Sequence, residues 1–117
     1  KLKKEFALVT WSPLTQASFL LYFNWRFEEL KNLDRILEES KVFRNCLAAS
    51  YAQQIIEGQY VAFRMSHPDV RLPLILGCRI VNGQVIFDQL EYPNNQKAEA
   101  EYSNIAMHFI NWLNLQA

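Results

Sequence analysis

The dipeptide Asn82-Gly83 sits between two apolar runs, residues 72–81 and 84–91, and no other feature of the chain restricts its fold as tightly. Asn and Gly accept the positive φ angles at both central positions of a type I′ turn, so the pair predicts a two-residue β-hairpin. With only these two residues in the loop, Val81 lies opposite Gln84. The register then continues as Ile80 opposite Val85, Cys78 opposite Phe87, Leu76 opposite Gln89 and Leu74 opposite Glu91. The face carrying Leu74, Leu76, Cys78, Ile80, Val85 and Phe87 is apolar and is expected to meet a helical core, yet Gln89 falls on it too. A buried amide without partners costs roughly 1–3 kcal/mol, so Gln89 is expected either to be hydrogen-bonded as a structural residue at the sheet end or to stand at the rim of a cleft.

Around the hairpin the periodicity changes several times. Residues 5–11 are aromatic and β-branched and read as a short strand. Ser12-Pro13 is a helix start signal, and Phe19, Phe23, Phe27 and Leu30, with Leu20 on a neighbouring row, recur at helical spacing, which predicts a helix running to about Leu30. A second short helix is expected over residues 32–40 after a break, from Leu33, Ile36 and Leu37. A third is expected over 43–57, ended by Gly58. Tyr60 to Met65 alternates with period two and predicts a strand, and His67-Pro68-Asp69 reads as a turn before the strand 72–81. Pro73 at the start of that strand loses no ladder bond. Residues 92–97 form a loop by composition, and Tyr102, Ile105, Ala106, Phe109, Trp112 and Leu113 form the stripe of a terminal amphipathic helix. The expectation is one α+β domain over residues 1–117: a three-stranded antiparallel meander with the Asn82-Gly83 hairpin, one face packed against N-terminal helices and a C-terminal helix. The chain opens on Lys1, and a portion of a longer protein is expected.

Bulk composition excludes more than it assigns. Lys+Arg and Asp+Glu balance at 12 each, so no strong basic field announces nucleic acid or an anionic membrane, and no apolar run approaches the roughly 20 residues of a spanning helix. Cys46 and Cys78 are too few for a disulfide scaffold and are expected to be free thiols in a reducing, cytoplasmic compartment. The sequence is silent on oligomeric state.

Few residues offer chemistry. Cys46, His67, Cys78 and His108 lack the short ligand spacings of a zinc site, and the three glycines are isolated, which leaves no phosphate-cradling loop; no metal and no cofactor is expected. Cys46 lies near a helix N-terminus, where the dipole favours a thiolate, so a cysteine-dependent enzyme is one reading and a small core residue the plainer one. His108 reads as a helix-flank residue. Trp11, Trp25 and Trp112 lack a surrounding basic cluster and read as core, and Lys1, Lys3 and Lys4 as a solvated end. Arg79 and Asp88 are near-diagonal neighbours with Arg64 on the adjoining strand; this reads as a solvated charge pattern, with Arg64 and Arg79 as candidate phosphate contacts.

The stretch 42–113 resembles the PcfJ-like family of conjugative plasmids and related mobile elements. The signposts are Phe43-Arg44-Asn45-Cys46-Leu47, then Tyr51, Glu57-Gly58 and Phe63, and later Gln89 with Asn94 or Asn95. This chain departs from the pattern in three places. Asn45 stands where the family has histidine, Gly77 where its second strand has an acidic residue, and Glu91-Tyr92-Pro93 where a glycine normally follows the glutamine. The resemblance implies a setting in plasmid transfer or DNA handling. It implies a cleft marked by Cys46, Tyr51, Gln89, Asn94 and Asn95. Because the likeliest proton carriers are replaced, it points to a non-catalytic module contacting protein or nucleic acid, the alternative being an enzyme with Cys46 as nucleophile.

Overall fold

The computed structural model describes residues 13–43 and 47–116; the strand expected over 5–11 lies outside them. The chain is α+β, and its described residues form an open antiparallel sheet of six strands in sequence order rather than three. The strands are β1 (Leu20–Tyr22), β2 (Trp25–Glu29), β3 (Tyr60–Ser66), β4 (Leu74–Val81), β5 (Gln84–Tyr92) and β6 (Gln96–Lys97). The helices are α1 (Leu33–Phe43), α2 (Leu47–Ile56) and α3 (Ala100–Leu115). None of the described helices is long and apolar enough to cross a membrane.

The two additional N-terminal strands replace the helix expected up to Leu30. Phe23 and Asn24 adopt φ of 49° and 67° and form a two-residue turn, with Tyr22 opposite Trp25 and Leu20 opposite Phe27. The fourfold spacing of the phenylalanines satisfied a helical period. The burial of Trp25, Phe27 and Glu29 against exposed Arg26 obeys a period of two, and that pattern is the one realised. Aromatic residues flanking the turn favour strands, and Asn tolerates the left-handed region that the turn needs.

The remaining elements follow the expected order. Asn32 caps α1 by accepting the Arg35 backbone N–H at 2.9 Å, which accounts for the break before it. α2 ends at Ile56, just ahead of Gly58, and Pro73 falls immediately before β4. At the hairpin, Asn82 and Gly83 take φ of 52° and 77°, as a type I′ turn requires.

The expected register holds from Val81 opposite Gln84 to Cys78 opposite Phe87 and then shifts. Gly77 pairs with Gln89, Leu76 with Leu90 and Ile75 with Glu91, so Asp88 is an extra residue in β5 and a β-bulge corrects the two outer pairings. Leu90, not Gln89, joins Leu76 in the core.

Helices cover both faces of the sheet rather than one. On the first face α3 packs over Trp25, Phe27, Phe63, Leu76 and Cys78. There the Phe109 ring stacks on Phe27 at 3.7 Å with 2° between planes and meets Phe63 edge-on at 5.4 Å. On the second face the α1–α2 pair covers Tyr60, Ala62 and Ile75 with Ile36 and Ile55. Strands clad on both sides read as unbroken apolar runs, and Leu74–Cys78 is buried throughout.

Candidate functional site

Two of the resemblance-marked residues, Tyr51 and Gln89, stand on the second face. Tyr60 opens β3, and its ring extends across β4 toward β5, where the hydroxyl donates to Asp88 Oδ2 at 2.8 Å. The path is open because residue 77 has no side chain. A Cβ placed there would lie 2.1 Å from the Tyr60 hydroxyl oxygen, so glycine is the only residue that lets the phenol through. The bulge supplies the other end of the bond, because an inserted residue turns Asp88 toward the same face as Gln89. Tyr51 of α2 stacks on the outer side of the Tyr60 ring, with centroids 4.5 Å apart and 18° between planes. Burial, and then the hydrogen bond to Asp88, push the Tyr60 phenol well above its ordinary range, so it keeps its proton at all physiological pH values.

Of the residues marked in the sequence, Tyr51 and Gln89 are brought to this one face: Gln89 is half-buried beside Gly77, and Tyr51 reaches the row through Tyr60. Asn94 is exposed at φ 66° in the single 3₁₀ turn Pro93–Asn95, whose backbone also carries Asn95 and against which α1 packs. Cys46 and Asn45 lie outside the described residues. Gly77, a departure from the family pattern, is the position that Tyr60 fills.

The two candidate phosphate contacts are placed apart. Tyr60 pairs with Arg79, and Arg64 is four residues further along β3, which separates the two arginines by about 13 Å. Arg64 Nε lies 3.4 Å from the buried Glu39 carboxylate, which Arg35 also binds at 2.8 Å. Arg35 further reaches Glu28 at 3.1 Å and pairs with Glu38, so two guanidinium groups meet three carboxylates. Arg79 stands 4.0 Å from Asp88 and is more than half exposed.

Other reactive groups are engaged elsewhere. Cys78 is fully buried in the first core, and burial raises its thiol far above the usual range, with Asp88 adding to the effect. His67 Nδ1 accepts the Asp69 N–H at 3.0 Å and its ring rests 5.0 Å from Trp25, which fixes the turn before β4. His108 is exposed on α3. Among the described residues no cluster of three His, Cys, Asp or Glu could hold a metal ion.

The described helices leave the β4–β5 end of this face uncovered. Val81 and Ile86 are exposed apolar side chains there, flanked by Arg79, Gln84 and Asp88. The Tyr60–Asp88 bond depends on the bulge, which the hairpin register does not foretell, whereas Val81 and Ile86 lie on the stretch where the expected register holds. The signal that was present is Gly77 itself, an isolated glycine inside an otherwise bulky strand, which marks a close approach.

Comparisons of the chain with protein-family models, with curated proteins and with solved structures give no match.

Proposed function

We propose that this chain is a non-catalytic binding module of a PcfJ-like mobile-element protein, and that it contacts a protein partner along the open β4–β5 strip beside the Tyr51–Tyr60 stack. The observation that carries this reading is the clasp from Tyr60 to Asp88 across Gly77, with Tyr51 stacked on the Tyr60 ring and Gln89 paired with Gly77 on the same face. A phenol whose proton is held this firmly serves as a wall, not as an acid or base. The exposed Val81 and Ile86, bordered by one cation and one anion, suit a protein surface. Nucleic acid is the weaker fit, because of the two candidate phosphate contacts Arg64 is paired with Glu39 and Arg79 faces Asp88 at 4.0 Å, and a backbone-binding surface needs free cations.

The test is site-specific photo-crosslinking in cells that carry the full chain, with the reactive residue at Ile86 and a control at the exposed Met107 of α3. A discrete protein adduct from Ile86 that Met107 does not give is the expected result. Nucleic-acid adducts at Ile86, or identical adducts from both positions, overturn the reading. Fluorescence anisotropy with labelled single- and double-stranded DNA at low salt gives an independent check: salt-sensitive binding transfers the assignment to nucleic acid.

A further inference from the structure

The sheet has two edges, and they differ in how they are closed. On β5 the outward rung at Val85 is occupied by the side chain of Asn114 in α3, whose Oδ1 accepts the Val85 N–H at 2.9 Å and whose Nδ2 donates to the Val85 carbonyl at 3.0 Å. Further along, the Leu90 carbonyl accepts the Ala98 N–H at 3.1 Å, beside the pairing with β6. Among the described residues the β1 edge has no such cover. Because Tyr22 and Trp25 close the two-residue turn, the next pair, Leu21 opposite Arg26, is of the non-hydrogen-bonded kind, and the Leu21 N–H and carbonyl point away from β2. Among the described residues no strand lies on that side. Apolar side chains are also exposed there: Phe19 at 42%, Leu21 at 62% and Phe23 at 81%.

We propose that this edge is a self-association surface, on which β1 pairs antiparallel with β1 of a second copy of the chain about a two-fold axis at Leu21. The sequence Phe19-Leu20-Leu21-Tyr22-Phe23 is nearly palindromic about Leu21, and an isologous interface demands such self-complementarity. A two-fold at Leu21 lets each Leu21 N–H donate to the other Leu21 carbonyl and sets Phe19 of each copy opposite the tip residue Phe23 of its partner. On the opposite face it places Leu20 against Tyr22, both already packed on the first core, so the core continues from one copy into the next. Charge does not oppose the pairing. The chain has no net charge, Arg26 lies over its own Phe19 ring at 4.5 Å, and three strand spacings hold the two Arg26 residues about 14 Å apart, beyond the Debye length at physiological salt.

The area decides how strong the contact is. Fully covered aromatic side chains bury roughly 150–250 Å² each, so the three exposed residues offer on the order of 400 Å² per copy, about half of a standard interface. Assembly is therefore expected at high concentration only. Sedimentation velocity of the full chain over a wide concentration series should show a monomer–dimer equilibrium. Leu21→Lys is expected to weaken it about tenfold or more, since two like charges then face each other at the axis, while Met107→Lys leaves it unchanged. Amide shifts on dilution should be confined to residues 19–26, and a half-labelled sample should give intermolecular NOEs between Phe19 and Phe23. A chain that stays monomeric throughout, a dimer that survives Leu21→Lys, or dilution shifts along β5 instead overturns the proposal. Circular dichroism of Leu21→Lys separates lost pairing from lost folding.

Discussion

Asn114 offers a sharp test of how the β5 edge is held, because the same residue replaced by a smaller and by a bulkier apolar side chain has different consequences. Its amide makes two hydrogen bonds of 2.9 and 3.0 Å to the backbone of Val85, whose side chain is 5% exposed. Beside it lies a small cleft of about 150 Å³ lined by Leu14, Gly83, Val85 and Leu113, large enough to admit water. Asn114→Ala removes both bonds but opens that cleft onto the rung, so water can take over the Val85 groups and the loss is about 1–2 kcal/mol. Asn114→Leu fills the space with methyl groups and leaves a donor and an acceptor unpaired, at about 1–3 kcal/mol each, so the loss is about 2–4 kcal/mol despite the added apolar surface. Helix propensity does not separate the two, since Ala and Leu are both strong helix formers. Urea unfolding followed by circular dichroism reads the difference: with a slope of about 1–3 kcal/mol/M, the midpoint falls by roughly 0.5–1 M for Ala and 1–2 M for Leu. A Leu variant as stable as the Ala variant, or more so, would refute the claim that Asn114 acts by satisfying the rung.

Gly77→Ala should destabilise the protein by about 2–3 kcal/mol by expelling the Tyr60 phenol from Asp88 and Tyr51, and the same substitution in a Tyr60→Leu background should add little. Equal effects in both backgrounds, measured by denaturant titration, contradict the close approach. Cys78 is fully buried with its thiol pushed up, so iodoacetamide on the native chain should spare it, and its alkylation in denaturant pulses should track global unfolding; any native modification read by peptide mass spectrometry then reports Cys46, whose inertness would remove the cysteine-nucleophile alternative. Burial raises the Glu91 carboxyl above its usual range, so the native state holds that proton more tightly than the unfolded chain and loses stability as pH rises through the native value. Glu91→Gln should therefore match the parent in acid and exceed it slightly near neutrality, as read by thermal melts at several pH values, and a parent that gains on Glu91→Gln with rising pH reverses the sign.

The sequence disclosed what local chemistry dictates and concealed what depends on contacts between distant residues. Asn82-Gly83 announced its turn because few residues tolerate two successive positive φ angles, and Gly58 marked a helix end for a similarly local reason. Phe23-Asn24 makes the same kind of turn without a glycine, and the fourfold spacing of Phe19, Phe23 and Phe27 hid it behind a helical period. The bulge at Asp88 left no local trace. It moved Gln89 from the first face to the second, so Gln89 is not the polar residue of the apolar face that an unbroken register makes it, although the resemblance marks the same residue. Both coverings of the sheet were legible in principle. The unbroken apolar run in β4, with small Gly77 opposite Ala62, suits a strand clad on two sides and not the half-exposed strand of a one-sided meander.

That two-sided cladding also bears on where the proposed partners dock. With α3 over one face and α1–α2 over the other, the described residues leave the β4–β5 end of the second face and the β1 rim among their exposed apolar surfaces. At the β5 edge the backbone is closed at Val85 by an asparagine amide and at Glu91 and Tyr92 by a two-residue strand, so a partner meeting Val81 and Ile86 beside that closed rung docks by side chains. At the β1 edge the Leu21 backbone is open among the described residues, and a partner there adds as a strand. The two surfaces thus call for different recognition modes and can be occupied at once. Leu21→Lys should weaken self-association without touching the Ile86 crosslink, and loss of both together would show that the strip is assembled only in the dimer.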